Sequence, residues 1–351
     1  MFAATIPDLL RLLVVPVFGW AAIRDIKTRR VPNQTWLPLA ALGIVLLCWD
    51  GFAVWSGTST QLVVDGFSVA LSGGSSVPTL NRFFFRTAFS VGFIVTFAYG
   101  FWLFGGFGGA DAKALMTLAV VFPIYPEYLF PGFSLPWVVT TLGVFSLTIL
   151  SNTVLAGAIY PVALSARNLA HGEFSRLMFI GGKVDVESLP ERYGGLLETT
   201  EGYTRSGVDL DILRMYLTWR GCTLADLRAN PESHRDPDSL PKRPNDPGDG
   251  TVPIEGDGLL ALSDGGEVSA TDSAVDTADP WGAEQFFTDI GGPLYGTDPE
   301  SLRDGLELLT TRERVWYSPG LPFIVPMFGG LLISLVAGDV LVWLLTNAGL
   351  A

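Results

Sequence analysis

The feature that most constrains this chain is the recurrence of apolar stretches about as long as a bilayer is thick. Crossing a hydrocarbon core of ~30 Å takes roughly 20 helical residues. Stretches of that order run over 6–23, 36–55, 87–104, 112–130, 135–164 and 321–345. Of the 351 residues, 49% are hydrophobic and only 16% charged, and the mean hydropathy is positive, which sets the chain apart from soluble proteins of its size. The expected fold is an all-α polytopic membrane protein of about six transmembrane helices with a large acidic, partly disordered cytoplasmic insertion. The fourth stretch carries Pro123, Pro126 and Glu127 near its far end, which predicts a short, kinked or tilted helix.

The first stretch does not read as a secretory signal. Arg11 lies inside it, and the basic cluster follows the apolar run instead of preceding it, the reverse of signal-peptide polarity. Two cysteines, Cys48 and Cys222, supply neither a disulfide framework nor a thiolate zinc site. His171 and His234, the only histidines, are not at metal-ligand spacing, which leaves a His-based zinc protease or a Ser-His-Asp triad without support. Both read as solvated loop residues.

The expected organisation is a membrane domain over 1–164, an acidic insertion over 165–316 and a last span within 317–351. Residues 231–304 hold 17 Asp and Glu against 4 Lys and Arg, a net charge of −13 that equals the formal charge of the whole chain. The acidity therefore belongs to one soluble segment. Its parts 235–250 and 256–280 are rich in Pro, Gly, Ser, Thr and Asp and poor in apolar residues, so little burial offsets the entropy of ordering them. A disordered linker is expected over about 235–280. By contrast, Leu210, Leu213, Tyr216 and Leu217 recur at helical spacing, and Thr223 with Asp226 stands at the offset of an N-terminal cap before Pro231. A helical subdomain is expected over about 205–230.

Basic residues in short loops remain cytoplasmic. Arg24, Lys27, Arg29 and Arg30 follow the first span, which places both termini outside and the insertion inside. Counting spans alternately, Asp25 in Asp25-Ile26-Lys27-Thr28-Arg29-Arg30-Val31-Pro32-Asn33 and Asp111 in Gly108-Gly109-Ala110-Asp111-Ala112-Lys113 fall at the same membrane face. Residues 62–71, in the external loop, are too short to span and are expected to lie in the interface or re-enter.

An ionisable carboxyl at the bilayer margin is a functional candidate by default. Two carboxyls a few ångströms apart repel, share one proton, and can hydrolyse an amide by acid/base chemistry, one activating water and the other protonating the leaving group. Asp111 alone would pass for a helix cap, but Asp25 sits at a helix C-terminus, where the dipole disfavours an anion. The glycines at 105, 106, 108 and 109 allow tight turns and close helix approach at the mouth of the fourth span. Lys27 and Lys113 are expected to reach headgroup phosphates or to tune the charge of the pair. Asp8, Asp50, Asp65, Glu127 and Asp339 map to the other face and read as structural. The competing reading is a transporter or channel component whose two aspartates bind or relay cations, although no inverted pair of interrupted spans is present.

The run from Asp25 to Asn33, with its Lys, Thr and Arg before a Pro-Asn turn, and the segment Gly108-Gly109-Ala110-Asp111 followed by Lys113 resemble the type IV prepilin peptidases, specifically their archaeal preflagellin/prepilin branch. This is an aspartic membrane protease family with a Gly-x-hydrophobic-Asp motif. The resemblance covers 6–164 and 321–345, and the acidic insertion is additional, with a lysine-poor composition like that of halophilic archaea. It implies Asp25 and Asp111 as catalytic residues, with Lys27, Gly108, Gly109, Ala110 and Lys113 as supporting motif. It implies cleavage of a short basic class III signal peptide from prepilin or preflagellin precursors at the cytoplasmic face. The implied partners are those precursors and the lipid bilayer, with no cofactor, no metal and no nucleic acid. Ala110 stands where the stricter Gly-x-Gly-Asp motif has glycine, and the Cys-x-x-Cys domain of bacterial relatives is missing, so cleavage without N-methylation is expected.

Overall fold

The computed structural model describes residues 2–57, 61–64, 67–70, 79–104, 106–204, 207–252, 279–320 and 322–350. In chain order the first elements are β1 (Phe2–Thr5), α1 (Ile6–Arg11), α2 (Val14–Thr28), α3 (Trp36–Ser56), β2 (Gln61–Val64), β3 (Phe67–Ala70), α4 (Leu80–Phe89), a π-helical turn Ser90–Ile94, α5 (Val95–Leu103), α6 (Gly109–Val121), β4 (Tyr128–Phe130), β5 (Phe133–Leu135) and α7 (Phe145–Ala170). There follow β6 (Gly182–Asp185), β7 (Gly195–Leu196), α8 (Leu210–Arg220), α9 (Leu224–Ala229), α10 (Pro231–Arg235), α11 (Ala283–Asp289), α12 (Pro299–Thr311), β8 (Arg314–Ser318), α13 (Ile324–Val336) and α14 (Val340–Asn347). The chain forms two compact units, residues 1–160 with 322–351, and residues 161–321.

Among the described residues, four helices are long and apolar enough to cross a membrane: Ile6–Thr28, Asn33–Ser56, Leu80–Leu103 and Phe145–Ala170. Two of the six expected spans take other forms. The fourth is the 13-residue α6, which stops at Phe122, directly before Pro123, and the chain continues into β4. Its continuous apolar character has a different cause from lipid contact: Ala112, Ala114, Leu115, Leu118, Ala119 and Val121 are all buried by protein. Gly43 of α3 permits this, because a Cβ there would come within 3.0 Å of the Val121 amide and 3.1 Å of Val120. Small residues let helices approach where no water drives them together. The π turn aims Ser90 at the same helix, where its hydroxyl donates to Ala119 O at 2.7 Å and pairs with the Ser146 hydroxyl at 2.6 Å.

The sixth expected span is broken into α13 and α14. Gly338 between them is left-handed (φ 80°), Val138 N–H donates to Ala337 O at 3.0 Å, and Asp339 caps α14 through Val342 N–H. Asn152 closes the gap by donating to Ser334 Oγ and Gly338 O, both at 2.8 Å.

The all-α expectation is also corrected. A five-stranded sheet of order β2-β3-β1-β4-β5 forms in the first unit and a three-stranded sheet of order β6-β8-β7 in the second. The stretch 62–71, read as interfacial or re-entrant, supplies β2 and β3, with β3 parallel to β1.

The second unit is built around α8, whose Leu210, Ile212, Leu213, Met215, Tyr216, Leu217 and Trp219 are all buried. The helix is thus covered on more than the one side its leucine spacing marks, and Trp281, Phe286, Leu302, Leu306 and Val315 join the same core. Part of the stretch expected as a linker takes a defined path here. Buried Arg214 donates to Gly250 O at 2.6 Å and lies 5.2 Å over the Tyr193 ring. Arg220 donates to Trp281 O, His234 O and Ser239 Oγ. Charge-assisted bonds to backbone carbonyls thereby order residues 235–252, which have little apolar surface to bury. Residues 253–278 lie outside the described residues. Thr223 and Asp226 form the reciprocal cap read from the sequence.

Candidate active site

Asp25 occupies the last turn of α2. That helix ends on Arg29, which adopts the left-handed conformation (φ 55°) and donates its N–H to Asp25 O at 3.0 Å. The Asp25 side chain is buried, at 7% exposure, and the backbone amide of Ile324, the first residue of α13, lies close enough to favour its charged form. A helix N-terminus presents unpaired N–H groups and a positive dipole end, so α13 supplies at Asp25 the favourable field that the C-terminus of α2 denies it. One oxygen, Oδ2, is buried with no hydrogen-bond partner among the described residues.

Asp111 is the third residue of α6, and its Oδ2 accepts the Gly108 N–H at 3.2 Å. A Cβ on Gly108 would stand 3.0 Å from that oxygen, so glycine lets the carboxyl fold back over the helix start. The half-buried Asp111 side chain interacts electrostatically with Asp25 and with Arg29. Two carboxyls, one from the C-terminal end of α2 and one from the N-terminal end of α6, thus lie within electrostatic reach of each other.

The remaining motif residues divide. Lys113 Nζ donates to Asn33 Oδ1 at 2.7 Å, tying the first turn of α6 to the turn that enters α3. Thr28 Oγ1 donates to Arg24 O and Arg30 O, both at 3.0 Å, and Arg24 Nε donates to Arg30 O at 3.2 Å. The basic run therefore shapes its own turn. Lys27 is exposed and makes no hydrogen bond or ion pair among the described residues. Ala110 packs partly buried against the core. Gly106 and Gly108 are not left-handed; close approach is what they permit, since a Cβ on Gly106 would lie 3.1 Å from the Phe101 ring. Gly105 lies outside the described residues.

Two contributors escaped the sequence reading. Arg29 stands four residues after Asp25, about one helical turn away, a spacing that signals nearness. Ile324 has no such signal, because it arrives from the far end of the chain. A ring contact of 4.9 Å between Phe107 and Phe323 joins the two segments that carry the Gly108 and Ile324 amides.

The other membrane-region acids are placed elsewhere. Asp8 and Asp50 both pair with Arg11, Asp8 Oδ2 accepts the Glu127 amide at 3.4 Å, and Asp339 caps α14. Asp65 lies outside the described residues. His171 is exposed and His234 half-buried, each ring within 2.9 Å of the carbonyl four residues earlier. Among the described residues, no group of three or more His, Cys, Asp or Glu is placed to hold a metal ion.

Residues 12–162, which contain both aspartates, match the family described as the type IV leader peptidase family. A preflagellin peptidase of Methanococcus voltae is 27% identical over 163 residues, 43% of this chain and 54% of that protein. A preflagellin peptidase of Methanococcus maripaludis is 21% identical over 179 residues, 49% of this chain and 66% of that protein. The chain spans between about half and two thirds of the length of these curated relatives. Four helices long and apolar enough to cross a bilayer, together with the match to a leader peptidase family, mark a multi-pass membrane protein.

Proposed function

We propose that this protein is an aspartic endopeptidase of the prepilin peptidase type, which removes the short basic leader from prepilin- or preflagellin-like precursors at the cytoplasmic membrane face. The observation that carries the reading is the meeting of Asp25 and Asp111 within electrostatic reach of each other, inside a segment that matches a leader peptidase family.

The chemistry follows from the donors. Ile324 N–H lies close to the Asp25 carboxyl, Gly108 N–H holds Asp111 Oδ2, and Asp25 Oδ2 is left without a partner among the described residues. A pair that shares one proton has one base and one acid. The ionised carboxylate takes a proton from water as the water oxygen attacks the scissile carbonyl carbon. The protonated carboxyl gives its proton to the carbonyl oxygen. Collapse of the tetrahedral intermediate breaks the C–N bond as the departing nitrogen takes the proton of the protonated carboxyl and one hydroxyl of the intermediate returns its proton to the other carboxylate, so the pair again holds one proton. The two groups titrate as a unit, so the roles belong to the pair.

The substrate reading follows from orientation. A basic leader stays on the side where basic loops stay, and Arg24, Lys27, Arg29 and Arg30 after the first span support a site on that side. Cleavage leaves the hydrophobic helix of the precursor in the bilayer.

The test is to incubate membranes carrying the protein with a prepilin-like substrate and follow its size. A clipped product that is lost in Asp25→Asn and Asp111→Asn but retained in Glu201→Gln supports the reading. No clipping by the parent protein, across several substrates with a basic leader and a hydrophobic helix, sinks it.

A further inference from the structure

Arg29 caps the C-terminus of α2, its backbone N–H donating to the carbonyl of Asp25 four residues back. Its backbone is left-handed, with φ 55°, a conformation that costs a non-glycine residue on the order of 1 kcal/mol. Glycine or asparagine would end the helix there with less strain. Helix termination alone therefore does not account for an arginine, and outliers of this kind gather at functional sites.

The guanidinium is also uncommitted. It is half-buried and, among the described residues, makes no hydrogen bond or ion pair, while it interacts electrostatically with both Asp25 and Asp111. The neighbouring cations are occupied or turned away. Arg24 lies 5.5 Å over the Trp20 ring and donates to Arg30 O, Lys113 is held by Asn33, and Lys27 is exposed. Among the described residues, the groups from other elements that act on the pair are the backbone amides of Gly108 and Ile324, which are neutral.

We propose that Arg29 is the positioning residue that sets the charge of the Asp25–Asp111 pair, its cation held at the pair by the left-handed end of α2. The inference rests on the peptidase reading above. Two carboxyls removed from water both tend to stay neutral, and a pair holding two protons has no base to activate water. A fixed cation favours the singly ionised pair, which has both a base and an acid.

The test compares Arg29→Gly, Arg29→Asn and Arg29→Lys with the parent protein and Asp25→Asn, using the same prepilin-like substrate and recording thermal stability of each. Gly and Asn suit the left-handed position but carry no charge; Lys strains it but keeps the charge. The expected result is unchanged or raised melting temperature for Gly and Asn with kcat lowered about 100-fold and KM little altered. Lys is expected to recover kcat to within about tenfold of the parent. Parent-like kcat in Arg29→Gly, Lys no better than Gly, or unfolding of both the Gly and Asn variants overturns the proposal, the last by making Arg29 a structural residue. The two readings fail separately: a parent that cleaves, an inactive Asp25→Asn and a fully active Arg29→Gly remove only this inference, whereas a parent that does not cleave removes both.

Discussion

Two polar clusters occupy opposite ends of α6, and they differ in how completely they are satisfied. At the C-terminal end, buried Arg11 donates to Val121 O at 2.8 Å and to Asp8 at 2.7 Å, and pairs with Asp50. Thr5 Oγ1 donates to Asp8 Oδ2 at 2.7 Å, and Tyr128 Oη donates to Asp8 O at 2.8 Å. At the N-terminal end, Asp25 and Asp111 interact electrostatically, Asp25 keeps a buried oxygen without a partner among the described residues, and Arg29, the cation that acts on both, makes no ion pair among the described residues. Burying charge is costly unless it is matched. The matched cluster spends its charge on holding α1, α3 and α6 together. The unmatched one keeps a reactive group available.

That contrast can be broken most severely at the aspartates. Asp25→Asn or Asp111→Asn, near-isosteric changes at the open cluster, is expected to lower cleavage about 1,000-fold or more while leaving the melting temperature close to that of the parent, as a processing assay and a thermal scan on the same sample will show. The converse is expected at the closed cluster. Arg11→Met strands two buried carboxyls and should destabilise the first unit by about 3–5 kcal/mol, read as a large fall in melting temperature with activity lost in proportion to unfolding. If Arg11→Met were stable and selectively inactive, the division between closed and open clusters would be wrong.

A finer test is Gly108→Ala. The added Cβ meets Asp111 Oδ2 at 3.0 Å, so the carboxyl must move by a few tenths of an ångström, and activity should fall about tenfold or more with little change in stability. Parent-like kcat would show that Asp111 tolerates displacement.

The smallest effect is expected from a carboxyl in the second unit. Asp209 caps α8, its Oδ1 accepting Asp211 N–H at 2.7 Å, yet burial pushes its pKa up to about 6. A raised carboxyl pKa means that the folded state binds the proton more tightly than the unfolded chain. The stabilisation is complete below about pH 4 and is lost as pH rises through about 6. Asp209→Asn keeps a capping side chain and should remove this dependence, a change on the order of 1 kcal/mol after allowance for partial exposure. Stability of the variant and the parent, measured between pH 4 and 7, should diverge as pH rises; parallel curves would rule out the effect.

Much of this could be read along the chain. The four long helices stand where apolar runs of bilayer length stand, and the cap formed by Thr223 and Asp226 was legible because capping is local. The fourth and sixth runs misled for a physical reason: apolar sequence reports exclusion from water without saying whether lipid or protein does the excluding. α6 is enclosed by protein, and the last run is interrupted at Gly338 by pairing with Val138. The strands were hidden because β1 pairs with β3 and β4, partners far away in sequence, and short strands carry little periodic signal. The path of residues 235–252 was hidden because carbonyl bonds from Arg214 and Arg220, not apolar burial, order it.

The sequence by itself determined that the chain enters a membrane and that Asp25 and Asp111 head two motifs at helix ends, because hydropathy and capping act over a few residues. Only the tertiary structure decided which carboxyls are neutralised. Asp8 and Asp50 met Arg11, whereas Asp25 met a backbone amide from α13 and a second carboxyl from α6. Counter-charge acts through space over several ångströms, and helix packing, not spacing along the chain, sets which groups come that close.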